Sequence, residues 1–83
     1  MTDIQGKRTL VTGAASGLGR LLATELARGG ANLVLWDIDE TGLLHVRNEL
    51  VDAGYKADAY TCDLADRDSI RTAADDTLSH SGP

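Results

Sequence analysis

Apolar residues along the chain fall alternately into short continuous runs and into longer stretches with helical spacing. Residues 9–12 form an apolar, β-branched run, which favours a buried strand. From Leu18 onward, apolar positions recur at i, i+3, i+4 and i+8, as on one face of a helix. Gly29 and Gly30 are expected to end that helix. The next run, residues 33–36, is short and continuous, which is typical of a strand covered on both faces.

The same alternation continues through the rest of the chain. Apolar positions between residues 43 and 51 predict a second helix, and Gly54 stands where a glycine C-cap belongs. Residues 57–62 favour a third strand, because tyrosine and threonine in this run suit extended structure. Helical spacing returns over residues 70–78 behind a candidate N-cap, Asp66. The chain after that helix is predicted to be a loop.

The order of predicted elements is β-α-β-α-β-α. Such alternation indicates parallel strands joined by right-handed helical crossovers. The 83 residues are enough for one small domain. We therefore predict the first half of a Rossmann-type parallel sheet over residues 1–83, with strand order 3-2-1 and helices on both faces.

Three glycines, Gly13, Gly17 and Gly19, lie between the first strand and the first helix. Glycine accepts positive φ and has no Cβ, so it suits a sharp turn and a close ligand. Gly13 is expected to form the turn, Gly17 to let phosphates approach, and Gly19 to let the helix pack closely. The free N–H groups and partial positive charge of a helix N-terminus favour a pyrophosphate. The alternative interpretation is a glycine turn without a ligand.

An acidic residue strengthens the prediction of dinucleotide binding. Asp37 ends the second predicted strand, close to the ~20-residue separation at which such an acid binds a ribose hydroxyl. Its carboxylate would repel the 2′-phosphate of NADP, and Ala15, Ser16 and Ile38 supply no positive charge. These residues predict NAD in preference to NADP. The alternative role for Asp37 is to cap the loop into the second helix.

The segment "TGAASGLG" resembles the TGxxxGxG motif of the short-chain dehydrogenases/reductases. "CDL" at the end of the third strand is also similar, because that family has an aspartate and an apolar residue beside the adenine. "GLGRLLATELA" and "LVLWDID" look most like the retinol dehydrogenase and 17β-hydroxysteroid dehydrogenase branch. The resemblance implies an NAD-dependent oxidoreductase. Its implied cofactor-binding residues are Thr12, Gly13, Ser16, Gly17, Leu18, Gly19, Asp37, Ile38, Asp63 and Leu64.

No catalytic residue can be assigned in this sequence. The family's catalysis uses a serine, an asparagine and a Tyr-x-x-x-Lys pair, but neither Tyr55 nor Tyr60 is followed by lysine at that spacing. The resemblance therefore implies the N-terminal, cofactor-binding part of a longer dehydrogenase. That enzyme would transfer hydride between the cofactor and a small alcohol or carbonyl substrate, and would form a homo-oligomer.

Composition narrows the set of partners. The formal net charge of −5 argues against nucleic acid. Cys62 is the one cysteine, so no disulfide framework or cysteine metal site is expected. No apolar stretch approaches the ~20 residues of a membrane span. A cytoplasmic location is the expectation.

Two other functional classes remain open from the residues alone. A methyltransferase that uses S-adenosylmethionine also places an acid after its second strand. A non-catalytic nucleotide-binding or interaction module would need no catalytic residues. The TGxxxGxG spacing and the aspartate–leucine pair after the third strand favour the oxidoreductase.

Overall fold

Strands and helices alternate throughout the part of the chain that the structure describes. The computed structural model describes residues 8–80. The predicted β-α-β-α-β-α order is confirmed. The elements are β1 (Arg8–Thr12), α1 (Gly17–Arg28), β2 (Asn32–Asp37), α2 (Glu40–Asp52), β3 (Ala57–Thr61) and α3 (Arg67–His80).

The three strands form one parallel sheet with β2 in the centre. Leu10 of β1 pairs with Val34 of β2, and Leu35 of β2 pairs with Ala59 of β3. The order β1-β2-β3 is the predicted 3-2-1 order viewed from the other side. Because all three strands are parallel, their carboxyl ends lie at the same edge of the sheet.

The central strand is covered on both faces, as its continuous apolar run predicts. Leu33 and Leu35 pack in a core cluster with side chains of α1 and α2. Val34 and Trp36 face the opposite side, in a smaller cluster with Ala73 of α3. Helices therefore lie on both faces of the sheet. The larger cluster contains Val11, Ala23, Ala27, Leu33, Leu35, Leu43, Val46 and Leu50, among others.

Glycines end the first two helices where the sequence predicts. Gly29 is the C-cap of α1, and Gly30 follows with φ 93°. Gly54 follows the α2 C-cap, Ala53, with φ 94°. A left-handed residue at this position turns the chain away from the helix axis, and glycine adopts it without strain.

The predicted loop after residue 78 is wrong for its first two residues. Ser79 and His80 belong to α3. The His80 Nδ1 lies 2.9 Å from the Asp76 carbonyl oxygen, a hydrogen bond one turn back. Such a contact supports the last helical turn, which has few intrahelical partners for its carbonyl groups. The remaining predicted loop residues, 81–83, lie outside the described part of the chain.

Candidate functional site

The glycine-rich turn connects the end of β1 to the start of α1. Gly13 has φ 65°, a left-handed conformation that favours glycine. The Ser16 amide and hydroxyl both donate to the Gly13 carbonyl oxygen, at 3.1 and 2.7 Å. A Cβ on Gly19 would overlap that same carbonyl oxygen. The structure therefore contains both the expected turn at Gly13 and the expected close packing at Gly19.

The first turn of α1 is open to a ligand. A Cβ on Gly17 would meet no atom within 4 Å, so this face of the turn borders open space. Ser16 is the N-cap residue, but its side chain makes no capping bond to α1. No acidic residue stands in the first turn, and Leu18 is 80% exposed. The uncapped amides and the helix dipole favour an anion here.

Asp37 joins the glycine-rich turn to the start of α2. Its Oδ2 accepts a hydrogen bond of 2.8 Å from the Ala15 amide, and its Oδ1 accepts one of 2.9 Å from the Asp39 amide. Asp39 in turn caps α2 by accepting from the Gly42 amide at 3.1 Å. The alternative role for Asp37 is thus present in the structure. Each carboxylate oxygen has a second lone pair, so these bonds leave acceptor capacity for a ribose hydroxyl.

A cavity of about 270 Å³ lies at the carboxyl edge of the sheet. It brings together residues at the carboxyl ends of three strands or just after them, including five of the predicted site residues: Gly13, Asp37, Ile38, Asp63 and Leu64. Trp36, Cys62 and Ala65 complete its lining. Ile38 and Leu64 are exposed apolar side chains on two of the loops that border it. The other predicted site residues, Thr12, Ser16, Gly17, Leu18 and Gly19, do not line the cavity; they lie at the end of β1 and around the first turn of α1.

Hydrogen bonds within the loop between β3 and α3, and from this loop to the first turn of α3, hold the loop in place. The Asp63 amide donates to Ser69 Oγ at 2.9 Å, and the Ala65 amide donates to Asp63 Oδ1 at 2.9 Å. Asp66 is the predicted N-cap of α3, and its Oδ1 accepts from the Asp68 amide at 2.9 Å.

Two contacts of the site, Ala15 with Asp37 and Asp63 with Ser69, are absent from the sequence prediction. The first joins residues 22 apart, and no sequence pattern marks which amide the carboxylate will meet. The second places a polar side chain in the first turn of a helix, and such a position is a general sign of a local hydrogen bond.

Other candidate chemistry is limited within residues 8–80. No group of three or more His, Cys, Asp or Glu side chains in this stretch could hold a metal ion. Cys62 is buried, and both histidines are exposed. None of the helices in the same stretch combines the length and the apolar character that a membrane crossing needs.

The chain belongs to the short chain dehydrogenase family, whose model matches residues 7–83. It is 50% identical over 76 residues to short-chain dehydrogenase/reductase family 16C member 6 of Bos taurus, covering 88% of this chain and 23% of that protein. Human epidermal retinol dehydrogenase 2 is 43% identical over 74 residues, which cover 88% of this chain and 24% of that protein. Estradiol 17-beta-dehydrogenase 11 of Pongo abelii is 38% identical over 72 residues, which cover 87% of this chain and 24% of that protein. The chain therefore spans about a quarter of the length of these relatives.

Solved structures show the same fold. A short chain dehydrogenase/reductase from Burkholderia phymatum, in complex with NAD, superposes with a TM-score of 0.88 at 34% identity, covering 95% of this chain and 28% of that one. A metagenomic short-chain oxidoreductase in complex with NADP gives a TM-score of 0.85 at 36% identity, covering 98% of this chain and 37% of that one. These neighbours support a nicotinamide dinucleotide as the cofactor class. Both forms of the cofactor occur among them.

Proposed function

We propose that this chain is the NAD-binding part of an oxidoreductase that transfers hydride between the cofactor and an alcohol or carbonyl substrate. One observation carries the proposal. The glycine-rich turn, Asp37 and the loop at Asp63 border a single cavity at the carboxyl edge of a parallel sheet. Ligands of open α/β sheets bind outside this edge.

The residues present fit the chemical parts of a dinucleotide. The uncapped first turn of α1, beside the open face of Gly17, suits a pyrophosphate. The Asp37 carboxylate suits the hydroxyls of a ribose. Ile38 and Leu64 are exposed apolar side chains that line the cavity, and they suit the faces of an adenine ring.

We further propose that NAD is preferred over NADP. A 2′-phosphate beside Asp37 would place like charges close together, with Asp39 and Glu40 following in the chain. Ala15, Ser16 and Ile38 supply no compensating cation. The guanidinium of Arg20, one turn into α1, is bound to Glu49 of α2.

The chemistry of the reaction would come from the bound cofactor, which accepts or donates hydride. This chain would bind and orient that cofactor. The resemblance to the family implies that a serine and a Tyr-x-x-x-Lys pair in a longer protein act on the substrate. Homo-oligomer formation and a cytoplasmic location are further parts of this proposal, and the same resemblance supports the first.

Calorimetric titration tests the proposal directly. NAD, NADP and S-adenosylmethionine are titrated separately into the complete protein. We expect saturable binding of NAD, weaker binding of NADP and no binding of S-adenosylmethionine. Tighter binding of S-adenosylmethionine than of NAD would replace the dehydrogenase with a methyltransferase. Binding of NAD by a complete protein that contains no Tyr-x-x-x-Lys pair would favour the non-catalytic module.

A further inference from the structure

Ser69 is tied to the wall of the cavity without lining it. Its Oγ accepts the Asp63 amide hydrogen bond at 2.9 Å, from the first turn of α3 back to the loop that follows β3. Asp63 and Leu64 line the cavity, whereas Ser69 does not. Ser69 is half-buried, so the bond is partly shielded from water.

The Ser69 side chain holds the Asp63 amide in the middle of this segment, whose two ends are held separately. The Cys62 amide donates to the Asp37 carbonyl oxygen at 2.9 Å, and Asp66 Oδ1 accepts from the Asp68 amide at 2.9 Å at the start of α3. The Asp63 carboxylate accepts from the Ala65 amide at 2.9 Å, and the Asp63 carbonyl accepts from the Asp66 amide at 3.1 Å. These bonds close the loop on itself, but neither connects it to the body of a helix. The bond to Ser69 connects the Asp63 amide itself to α3, whose residues Ile70 and Ala73 pack in the cluster with Trp36.

We propose that Ser69 is a positioning residue for the adenine-binding end of the cofactor site. It acts through the Asp63 amide, which sets the position of Asp63 and Leu64 at the cavity. This inference rests on the proposed dinucleotide function. Without this bond, the segment at Asp63 and Leu64 would be less ordered between its two anchored ends. It would have to be ordered when the ligand binds, and that ordering lowers affinity.

The test separates the two ends of the cofactor. AMP and nicotinamide mononucleotide are titrated by NMR into the complete protein and into Ser69→Ala. We expect AMP to bind roughly 3- to 10-fold more weakly to Ser69→Ala, the effect of losing one ordinary hydrogen bond. Nicotinamide mononucleotide should bind both proteins equally. A residue that contributes stability alone would lower the melting temperature without this difference between the ligands.

Two variants serve as controls. Ser69→Thr keeps a hydroxyl at the same position and should restore AMP affinity. Thr72→Ala removes an exposed hydroxyl one turn further along α3 and should leave AMP affinity unchanged. Equal AMP affinity of Ser69→Ala and the unsubstituted protein would overturn the positioning role while leaving dinucleotide binding intact. Failure of the unsubstituted protein to bind AMP or NAD would instead refute the proposed function.

A second measurement needs no substitution. Amide hydrogen exchange at Asp63 should be slowed by saturating AMP and unaffected by nicotinamide mononucleotide, because AMP holds the loop against α3. Exchange at Asp63 that does not respond to AMP would contradict the proposal even if Ser69→Ala proved too unstable to titrate.

Discussion

At the scale of single residues, the glycines of the turn differ in what an added side chain would meet. Gly13 needs its left-handed backbone, with φ 65°. Gly19 has no room for a Cβ against the Gly13 carbonyl oxygen, whereas Gly17 borders open space. A side chain at Gly17 is therefore compatible with the fold. Its cost should appear only when a ligand approaches.

Gly17→Val tests this separation of roles. We expect NAD affinity to fall by more than about tenfold, an effect above ~1.4 kcal/mol, because the branched side chain occupies the approach to the backbone. The melting temperature should change little. Calorimetry and thermal unfolding measure the two quantities. Unchanged NAD affinity would rule out this turn as the pyrophosphate site.

Gly19→Ala is the matched control for the same turn. It adds a single methyl group, yet its Cβ would overlap backbone atoms of Gly13. We expect a clear loss of stability, on the order of 1–3 kcal/mol, as for other overpacked sites. Denaturant unfolding measures it. A Gly19→Ala protein as stable as the original would show that the turn relaxes more readily than its geometry indicates.

Cofactor preference also belongs to the residue scale. In the complete enzyme that we propose, kcat/KM with NAD should be at least ~100-fold higher than kcat/KM with NADP. This ratio corresponds to a difference in activation free energy of about 2.7 kcal/mol. Asp37→Ser combined with Ile38→Arg should narrow or reverse that ratio by removing a like charge and adding a phosphate partner. The loss of the Ala15–Asp37 bond should also weaken binding of both cofactors.

Asp39→Ser is the control for that double variant. It removes a neighbouring carboxylate that caps α2 and makes no bond to the glycine-rich turn. Serine is also a favoured N-cap residue, so we expect little loss of stability and a much smaller change in the NAD-to-NADP ratio of kcat/KM. Steady-state kinetics with both cofactors measures this ratio in the unsubstituted enzyme and in both variants. Equal use of NAD and NADP by the unsubstituted enzyme would mean that Asp37 does not select the cofactor.

At the scale of elements, the sequence predicts those strands and helix ends that depend on hydrophobic spacing and on glycine. The buried run of β2 and the glycine stops at Gly30 and Gly54 follow from local pattern and backbone preference. The buried face of α1 does not follow from it, because the leucines at helical spacing from Leu18 to Leu22 are exposed and the buried residues are Ala23 and Ala27. The end of α3 does not either, because residues 67–81 contain no glycine or proline to mark it. The positions of the candidate site residues could be predicted because they lie at or near the carboxyl ends of the predicted strands. The Ala15–Asp37 and Asp63–Ser69 bonds depend instead on tertiary geometry, which no local pattern encodes.

A polar contact contributes to the attachment of α3 to the sheet. The Trp36 Nε1 donates to Thr77 Oγ1 at 3.1 Å, and the Thr77 hydroxyl donates to the Ala73 carbonyl at 2.7 Å. Trp36 is only 8% exposed, so water is a poor replacement for this acceptor. The hydroxyl therefore satisfies the indole N–H and keeps α3 in register over β2.

Thr77→Val removes that acceptor while keeping the shape of the side chain. We expect the free energy of unfolding to fall by about 1–3 kcal/mol, because the indole N–H is left unpaired in a buried position. Thr77→Ser retains the hydroxyl and should lose much less. Urea denaturation compares the two variants. Equal stability of Thr77→Val and Thr77→Ser would show that the indole bond contributes nothing to the docking of α3.

At the scale of the whole molecule, β1 is an edge strand: one of its two long sides is hydrogen-bonded to a neighbouring strand and the other is not. β2 pairs with one edge of β1, and no strand within residues 8–80 pairs with the other. Apolar side chains also remain exposed on β1 and on the first turns of α1. They are Leu10, Leu18, Leu21 and Leu22. An open edge with apolar neighbours favours pairing with another chain.

We therefore expect the 83-residue chain by itself to self-associate through β1, with an apparent mass that rises with concentration in sedimentation experiments. Leu10→Lys should weaken this association, because a charge at the open edge opposes the approach of a second strand. Val51→Lys is the matched control: Val51 is 48% exposed, close to the 49% of Leu10, but it lies on α2 and not on the unpaired strand. It should leave the association unchanged. A monomer with a sharp, reversible melt at all concentrations would contradict the prediction, and would mean that the edge of β1 is stable in water as it stands.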